Sequence, residues 1–201
     1  MTQEEVLKRV ISALEDNNIP YMLTGAIAVN YYGRPRLTHD VDIVVNIEKK
    51  HIQSIVDAFY QEFYLSSEGI EDAIKHHTVF NIIHHETGLK IDFWMLRDEE
   101  YDKTRFSRRE NQTIFDRQIY ISSAEDMILV KLLWYKKSTS EKHIMDAQGI
   151  LQVQGESVDN NYLIKWAEKL NVREILKELY KTIDFPENNQ RNRRYSSGPQ
   201  S

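Results

Sequence analysis

Apolar positions recur along this chain at two different spacings, and the change from one to the other divides it. Val6, Val10, Ile11 and Leu14 share one helical face, which predicts a helix from Glu4 to Leu14. Ile19 to Leu23 reads as a short strand, and Ala26 to Tyr32 as a helix closed by Gly33. From Asp40 to Val45 the period drops to two, with Val41, Ile43 and Val45 alternating against Asp40 and Asp42. Ile52, Ile55, Val56 and Phe59 restore helical spacing and predict a helix from His51 to Phe63. Thr78–Ile83 and Leu89–Trp94 read as a hairpin turning through His84 to Gly88, and Ile119–Ile121 as a further strand.

After Ile121 only helical spacing remains. Ser122-Ser123-Ala124-Glu125 has the form of a capping box ahead of a long apolar helix, Asp126 to Lys136. Helices over His143–Leu151, Asn161–Leu170 and Val172–Tyr180 follow. The expected class is therefore α+β: a mixed sheet backed by helices over residues 1–121, then a helical region over 122–183. Residues 184–201 are polar with almost no apolar positions, and are expected to be disordered.

The alternation at Asp40 and Asp42 carries the chemistry. Side chains two apart on a strand share a face, roughly 6 to 7 Å apart along the backbone. Two carboxylates on one half-buried face repel each other and lose hydration, so a cation is expected beside them. Oxygen ligands favour Mg²⁺, with Mn²⁺ as a substitute, and Mg²⁺ typically takes one or two carboxylates together with substrate phosphates. Upstream, Thr24-Gly25 joins a strand to a helix opening at Ala26. Such an opening leaves unpaired N–H groups that suit phosphate, and Gly25, lacking a Cβ, admits close approach.

Composition narrows the setting. Among 201 residues there is no cysteine, so neither disulfides nor thiolate metal sites arise. No apolar run approaches membrane-spanning length, and Met1-Thr2-Gln3-Glu4-Glu5 lacks a signal-peptide pattern, so a soluble, cytoplasmic protein with no membrane association is expected. A net charge of −5 argues against a broad nucleic-acid-coating surface. The basic clusters are Arg105/Arg108/Arg109 and Arg191/Arg193/Arg194. The pairs His76-His77 and His84-His85 point apart on any regular element and lack matching ligands, so a structural role is expected. Trp134, Tyr135 and Trp166 are expected in the core.

Strand, glycine turn, helix and Asp-x-Asp strand, in this order, resemble the nucleotidyltransferase superfamily that includes DNA polymerase β. Tyr32-Gly33-Arg34-Pro35-Arg36-Leu37-Thr38-His39-Asp40-Val41-Asp42 is similar to a small bacterial branch grouped with AbiEii-type toxins. The resemblance covers about residues 18 to 180 and implies a third carboxylate, Asp92, in Lys90-Ile91-Asp92-Phe93-Trp94. It implies that Asp40, Asp42 and Asp92 hold metal and act in catalysis, and that Thr24, Gly25, Ala26, Arg36, Lys131 and Asp146 serve the nucleotide phosphates. Lys131 lies in a helix apolar on nearly every side, so it must snorkel or meet an anion; the resemblance implies that Asp146, on the next helix, orients Lys131 or a nucleotide. The chain departs from the pattern at Ala26, where the family commonly has Gly or Ser, and near His143 and Met145. The implied activity is transfer of a nucleoside monophosphate from a nucleoside triphosphate to a hydroxyl on tRNA, protein or a small molecule. A toxin-like role beside an antitoxin partner is the implied setting. The alternative is a catalytically silent fold acting as a binding or regulatory partner.

Overall fold

The computed structural model describes residues 1–183; the expected disorder of 184–201 falls outside the described residues. The order of elements is α1 (Gln3–Asp16), β1 (Tyr21–Thr24), α2 (Gly25–Tyr32), β2 (Asp40–Val45), α3 (Ile52–Phe59), β3 (Phe63–Tyr64), α4 (Ser67–His76), β4 (Val79–His84) and β5 (Lys90–Met95). Then come α5 (Glu100–Ser107), β6 (Glu110–Ile114), β7 (Arg117–Ile121), α6 (Ala124–Ser138), α7 (Glu141–Gln154), α8 (Asn160–Lys169) and α9 (Arg173–Lys181). The class is α+β, with a mixed sheet ordered β3-β4-β5-β2-β1-β7-β6.

Two compact units make up the chain. Met1–Tyr31 with Pro35–Ser123 forms the first, and Tyr32–Arg34 joins the second, which begins at Ala124. In the first unit β2 lies at the centre, antiparallel to β1 and parallel to β5. Its odd-numbered residues Val41, Ile43 and Val45 register against Ile91, Phe93 and Met95, and all six are buried. On that face Phe93 meets Phe59 of α3 and stacks on Phe80 of β4. Helix α1 joins α3 through Arg9, which donates to the Ala58 carbonyl. Thr2 caps α1 with a complete capping box to Glu5.

Four departures from the sequence pattern have local causes. The helix expected over His51–Phe63 stops at Phe59, and Phe63 enters strand β3 opposite His84. There Phe63 is buried edge-on against Phe59 and His84, so tertiary packing overrides the helical period. Helix α4 was not legible because it buries only Ile70 and Ala73, too narrow a stripe to show periodicity. Helix α5 hides Asp102 among its buried residues, where Arg97 and Arg105 bind the carboxylate. A charged position on the inward face masks the apolar pattern. Strand β6 is an edge strand of mostly polar residues that buries only Ile114.

The second unit is helical in the described residues. Glu125 and Asp126, at the start of α6, are buried; Glu125 accepts the backbone N–H of Asp159 and Asp126 accepts the Tyr162 hydroxyl. These bonds tie α6 to α8. Gln154 of α7 donates to the Tyr32 carbonyl at 2.8 Å, consistent with Tyr32–Arg34 belonging to this unit. Trp166 is buried as expected, whereas Trp134 is 38% exposed, stacked on His143 with Lys137 over its ring. The turn of α6 that carries Trp134 lies past its most buried stretch, so the ring caps the surface instead of filling the core.

Candidate active site on the central sheet

The even-numbered face of β2 presents Asp40 and Asp42. In the register, Asp42 pairs with Thr24 of β1 on one side and with Asp92 of β5 on the other, while Asp40 pairs with Lys90. Directly paired residues of neighbouring strands share a face, so Thr24, Asp42 and Asp92 form a row across three strands. Thr24 is buried, Asp42 and Asp92 are half-buried, and Asp40 is exposed at the strand's start.

Each carboxylate is held differently. The indole Nε1–H of Trp94 donates to Asp42 Oδ1 at 3.0 Å. Trp94 itself packs against a small core of Met22, Val44 and Phe106, which fixes the direction of that N–H. The rest of the Asp42 carboxyl lies against Gly25. A Cβ on Gly25 would come within 2.7 Å of Asp42 Cγ and closer still to Oδ2, and Gly25 has φ +64°. The glycine is thus required twice, for a left-handed backbone and for the space its side chain would fill. The sequence suggested that Gly25 admits a ligand to the backbone; here the group filling that space is Asp42.

Lys90 serves the other two. Its Nζ lies 2.9 Å from Asp92 Oδ2 and 3.9 Å from Asp40 Oδ1. The ammonium is held above the ordinary lysine value by its hydrogen bond to Asp92, with partial burial opposing and the charges of Asp92, Asp40 and Asp42 reinforcing. Sequence reasoning missed both Lys90 and Trp94 as site residues. The signal was present: period-two alternation around Asp92 puts Lys90 and Trp94 on its own face.

Among the described residues, no three acidic or histidine side chains already converge on one metal position. The donor set nevertheless fits a hard divalent cation: three carboxylates share one sheet face, and a side-chain ammonium is already drawn between two of them. A recess of about 390 Å³ opens nearby, lined by Leu7, Ile27, Tyr31, Val41 and Phe115 as well as Asp40.

No family profile matches the chain, and no curated protein matches it. Solved structures do. The solution structure of the antibiotic-resistance factor ANT(2'')-Ia aligns over 89% of this chain and 93% of its own, with 14% identity and a TM-score of 0.56. An antigenic nucleotidyltransferase-like protein from Paracoccidioides brasiliensis aligns over 89% and 91%, at 16% identity and a TM-score of 0.53. The lincomycin-bound lincosamide antibiotic adenylyltransferase LnuA aligns over 76% and 98%, at 15% identity and a TM-score of 0.50. The chain has a nucleotidyltransferase-like fold. At such identities the shared property is the fold, and function has to be argued from the site.

Within this fold the remaining candidates fall in several places. Ala26 is buried in the first turn of α2 and has no hydroxyl to offer a phosphate. Arg36 lies in the stretch leading into β2, where its backbone N–H donates to Asn30 Oδ1 and its guanidinium turns back on the Leu37 carbonyl. Lys131 and Asp146 belong to the second unit and pair with each other at 2.8 Å, with side chains only 8% and 6% exposed. The anion demanded by a lysine in an apolar helix is thus Asp146. The histidines take structural parts: His84 Nδ1 contacts Thr87 Oγ1, His76 pairs with Asp72, and His77 closes α4 in the left-handed conformation. No described helix is long and apolar enough to cross a membrane.

Proposed function

We propose that this chain is a nucleotidyltransferase that moves a nucleoside monophosphate from a nucleoside triphosphate to a hydroxyl acceptor, using Mg²⁺ or Mn²⁺. The observation that carries this reading is the gathering of Asp40, Asp42 and Asp92 on one face of adjacent strands, beside a glycine turn that opens a helix. Asp40, Asp42 and Asp92 would hold the metal, which when bound supplies Lewis-acid stabilisation of charge on phosphoryl oxygens. Asp42, braced by Trp94 and Gly25, provides the rigid ligand; Asp40, at the exposed end of β2, provides the adaptable one. The N–H groups at the start of α2, from Gly25 and Ala26, face the β- and γ-phosphates, with Thr24 and Arg36 adding polar contacts. Asp92 takes the proton of the acceptor hydroxyl as its oxygen bonds to the α-phosphorus. The bond from that phosphorus to the bridging oxygen breaks, and pyrophosphate leaves with the electron pair.

A small-molecule hydroxyl is the acceptor class best supported, because LnuA is described as a lincosamide adenylyltransferase and ANT(2'')-Ia is described in complex with adenylyl-2''-tobramycin. A tRNA end or a protein hydroxyl, in a cytoplasmic toxin paired with an antitoxin, is the reading suggested by the AbiEii-type stretch around Asp40.

The test is thermal unfolding with each of the four nucleoside triphosphates, with and without Mg²⁺. A ligand at a hundred times its Kd stabilises by about 2.7 kcal/mol. A Mg²⁺-dependent rise that disappears in Asp40→Asn/Asp42→Asn supports nucleotide at this face and identifies the base. Asp42→Asn alone should lower transfer by about 10³-fold or more while leaving the unfolding midpoint of the free protein nearly unchanged. Full activity in Asp42→Asn would remove the assignment. No shift with any nucleotide would favour the silent fold, a reading to which the missing hydroxyl at Ala26 lends support.

A further inference from the structure

We propose that Lys90 is a built-in cation that holds the carboxylate face together without metal and competes with the divalent ion for it. The inference rests on the assignment of Asp40, Asp42 and Asp92 as metal ligands.

Lys90 stands on β5, two residues before Asp92 and directly opposite Asp40 in the register. Its Nζ reaches both carboxylates, at 2.9 Å and 3.9 Å, so it occupies the region where a cation shared by Asp40 and Asp92 would sit. Asp92 is only 14% exposed and would otherwise carry a poorly hydrated charge beside Asp42. The lysine is 38% exposed and ends a flexible four-carbon stem, so it can withdraw into solvent without unpacking the core. A divalent ion arriving at Asp40 and Asp92 would meet the ammonium at close range, where like charges repel strongly. The ion therefore binds only as Lys90 leaves.

Two consequences follow. Metal alone binds weakly, since part of its attraction to the face is already satisfied by the ammonium. A triphosphate relieves the conflict, because it offers the displaced ammonium a new anionic partner while adding oxygen ligands to the metal. Lys90 thus couples metal binding to nucleotide binding and keeps the face partly neutralised between turnovers.

The experiment is an Mn²⁺ titration without nucleotide, followed by electron paramagnetic resonance of the free ion, on wild type, Lys90→Met, Lys90→Arg and Asp42→Asn. Lys90→Met should bind Mn²⁺ about tenfold tighter than wild type, the scale of removing one close like charge from a half-exposed site. Lys90→Arg should stay within about threefold of wild type because the charge remains. Equal or weaker binding in Lys90→Met would overturn the competition. Wild-type Mn²⁺ binding that Asp42→Asn leaves intact would instead overturn the metal-ligand assignment. No binding in wild type or in Lys90→Met would overturn both.

A measurement on the unaltered protein covers the case in which Lys90→Met does not fold. Acylation of Lys90, read by peptide mass spectrometry, should rise when Mg²⁺ is added and fall again when a triphosphate follows. Acylation unchanged by Mg²⁺ would overturn the displacement.

Discussion

Two lysine–aspartate pairs of almost equal length sit in opposite surroundings. Lys131 and Asp146 meet at 2.8 Å with side chains 8% and 6% exposed, whereas Lys90 and Asp92 meet at 2.9 Å with 38% and 14% exposed. In the first pair both charges have given up water and depend on each other, so neither can leave cheaply. In the second, water can rehydrate the ammonium as it departs, and the net worth of the contact is small. Equal distances therefore mark different jobs. The buried pair fixes the packing of α6 on α7, and the half-exposed one can be exchanged for another cation.

The comparison is broken most directly at the buried pair. Lys131→Met takes the ammonium away from a buried carboxylate, and should cost about 3–5 kcal/mol. For a chain of this size that lowers the thermal midpoint by roughly 6–20 °C in a calorimetric scan. Replacing both partners with apolar residues, Lys131→Met with Asp146→Leu, should recover most of the loss. If Lys131→Met is no less stable than wild type, the pair is not structural and its phosphate role gains weight.

An intermediate effect is expected at Gly25. Gly25→Ala places a side chain at a left-handed backbone position and against Asp42, at a cost of about 1–3 kcal/mol by urea unfolding. Because Asp42 must shift, the Mg²⁺-dependent stabilisation by nucleotide should vanish as well. A Gly25→Ala protein of wild-type stability would show that the carboxylate moves aside freely and that Trp94 does not hold it.

The smallest effect belongs to the half-exposed pair. Asp92→Asn should change stability by only about 0–1 kcal/mol, and that change should shrink further as salt is added. A loss comparable to that of Lys131→Met would erase the distinction between the two pairs.

How far these assignments could be read ahead of the structure depended on the range of the interactions. Asp40 and Asp42 stood out because strand alternation is a local rule, and the same rule applied to Asp92 already implied Lys90 and Trp94 as its neighbours on one face. Strand β3 could not be read, since Phe63 leaves the helical pattern to meet His84, a residue 21 positions later in the sequence. Helix α5 escaped because Asp102 sits where an apolar residue would be expected, neutralised by Arg97 and Arg105. The reason for Gly25 was half legible: the turn called for a glycine, but which group would fill the space was set by the pairing of Thr24 with Asp42.

By itself the sequence determined the class of the fold, the faces of the strands and the presence of paired carboxylates, because each follows from spacings of two or three to four residues along one element. Only the tertiary structure decided which strand lay beside which, and with it that Asp42 is braced by Trp94 and Gly25 while Lys90 spans Asp92 and Asp40. Those partners come from separate segments, and register between segments is fixed by the packing of the whole sheet, which no local spacing records.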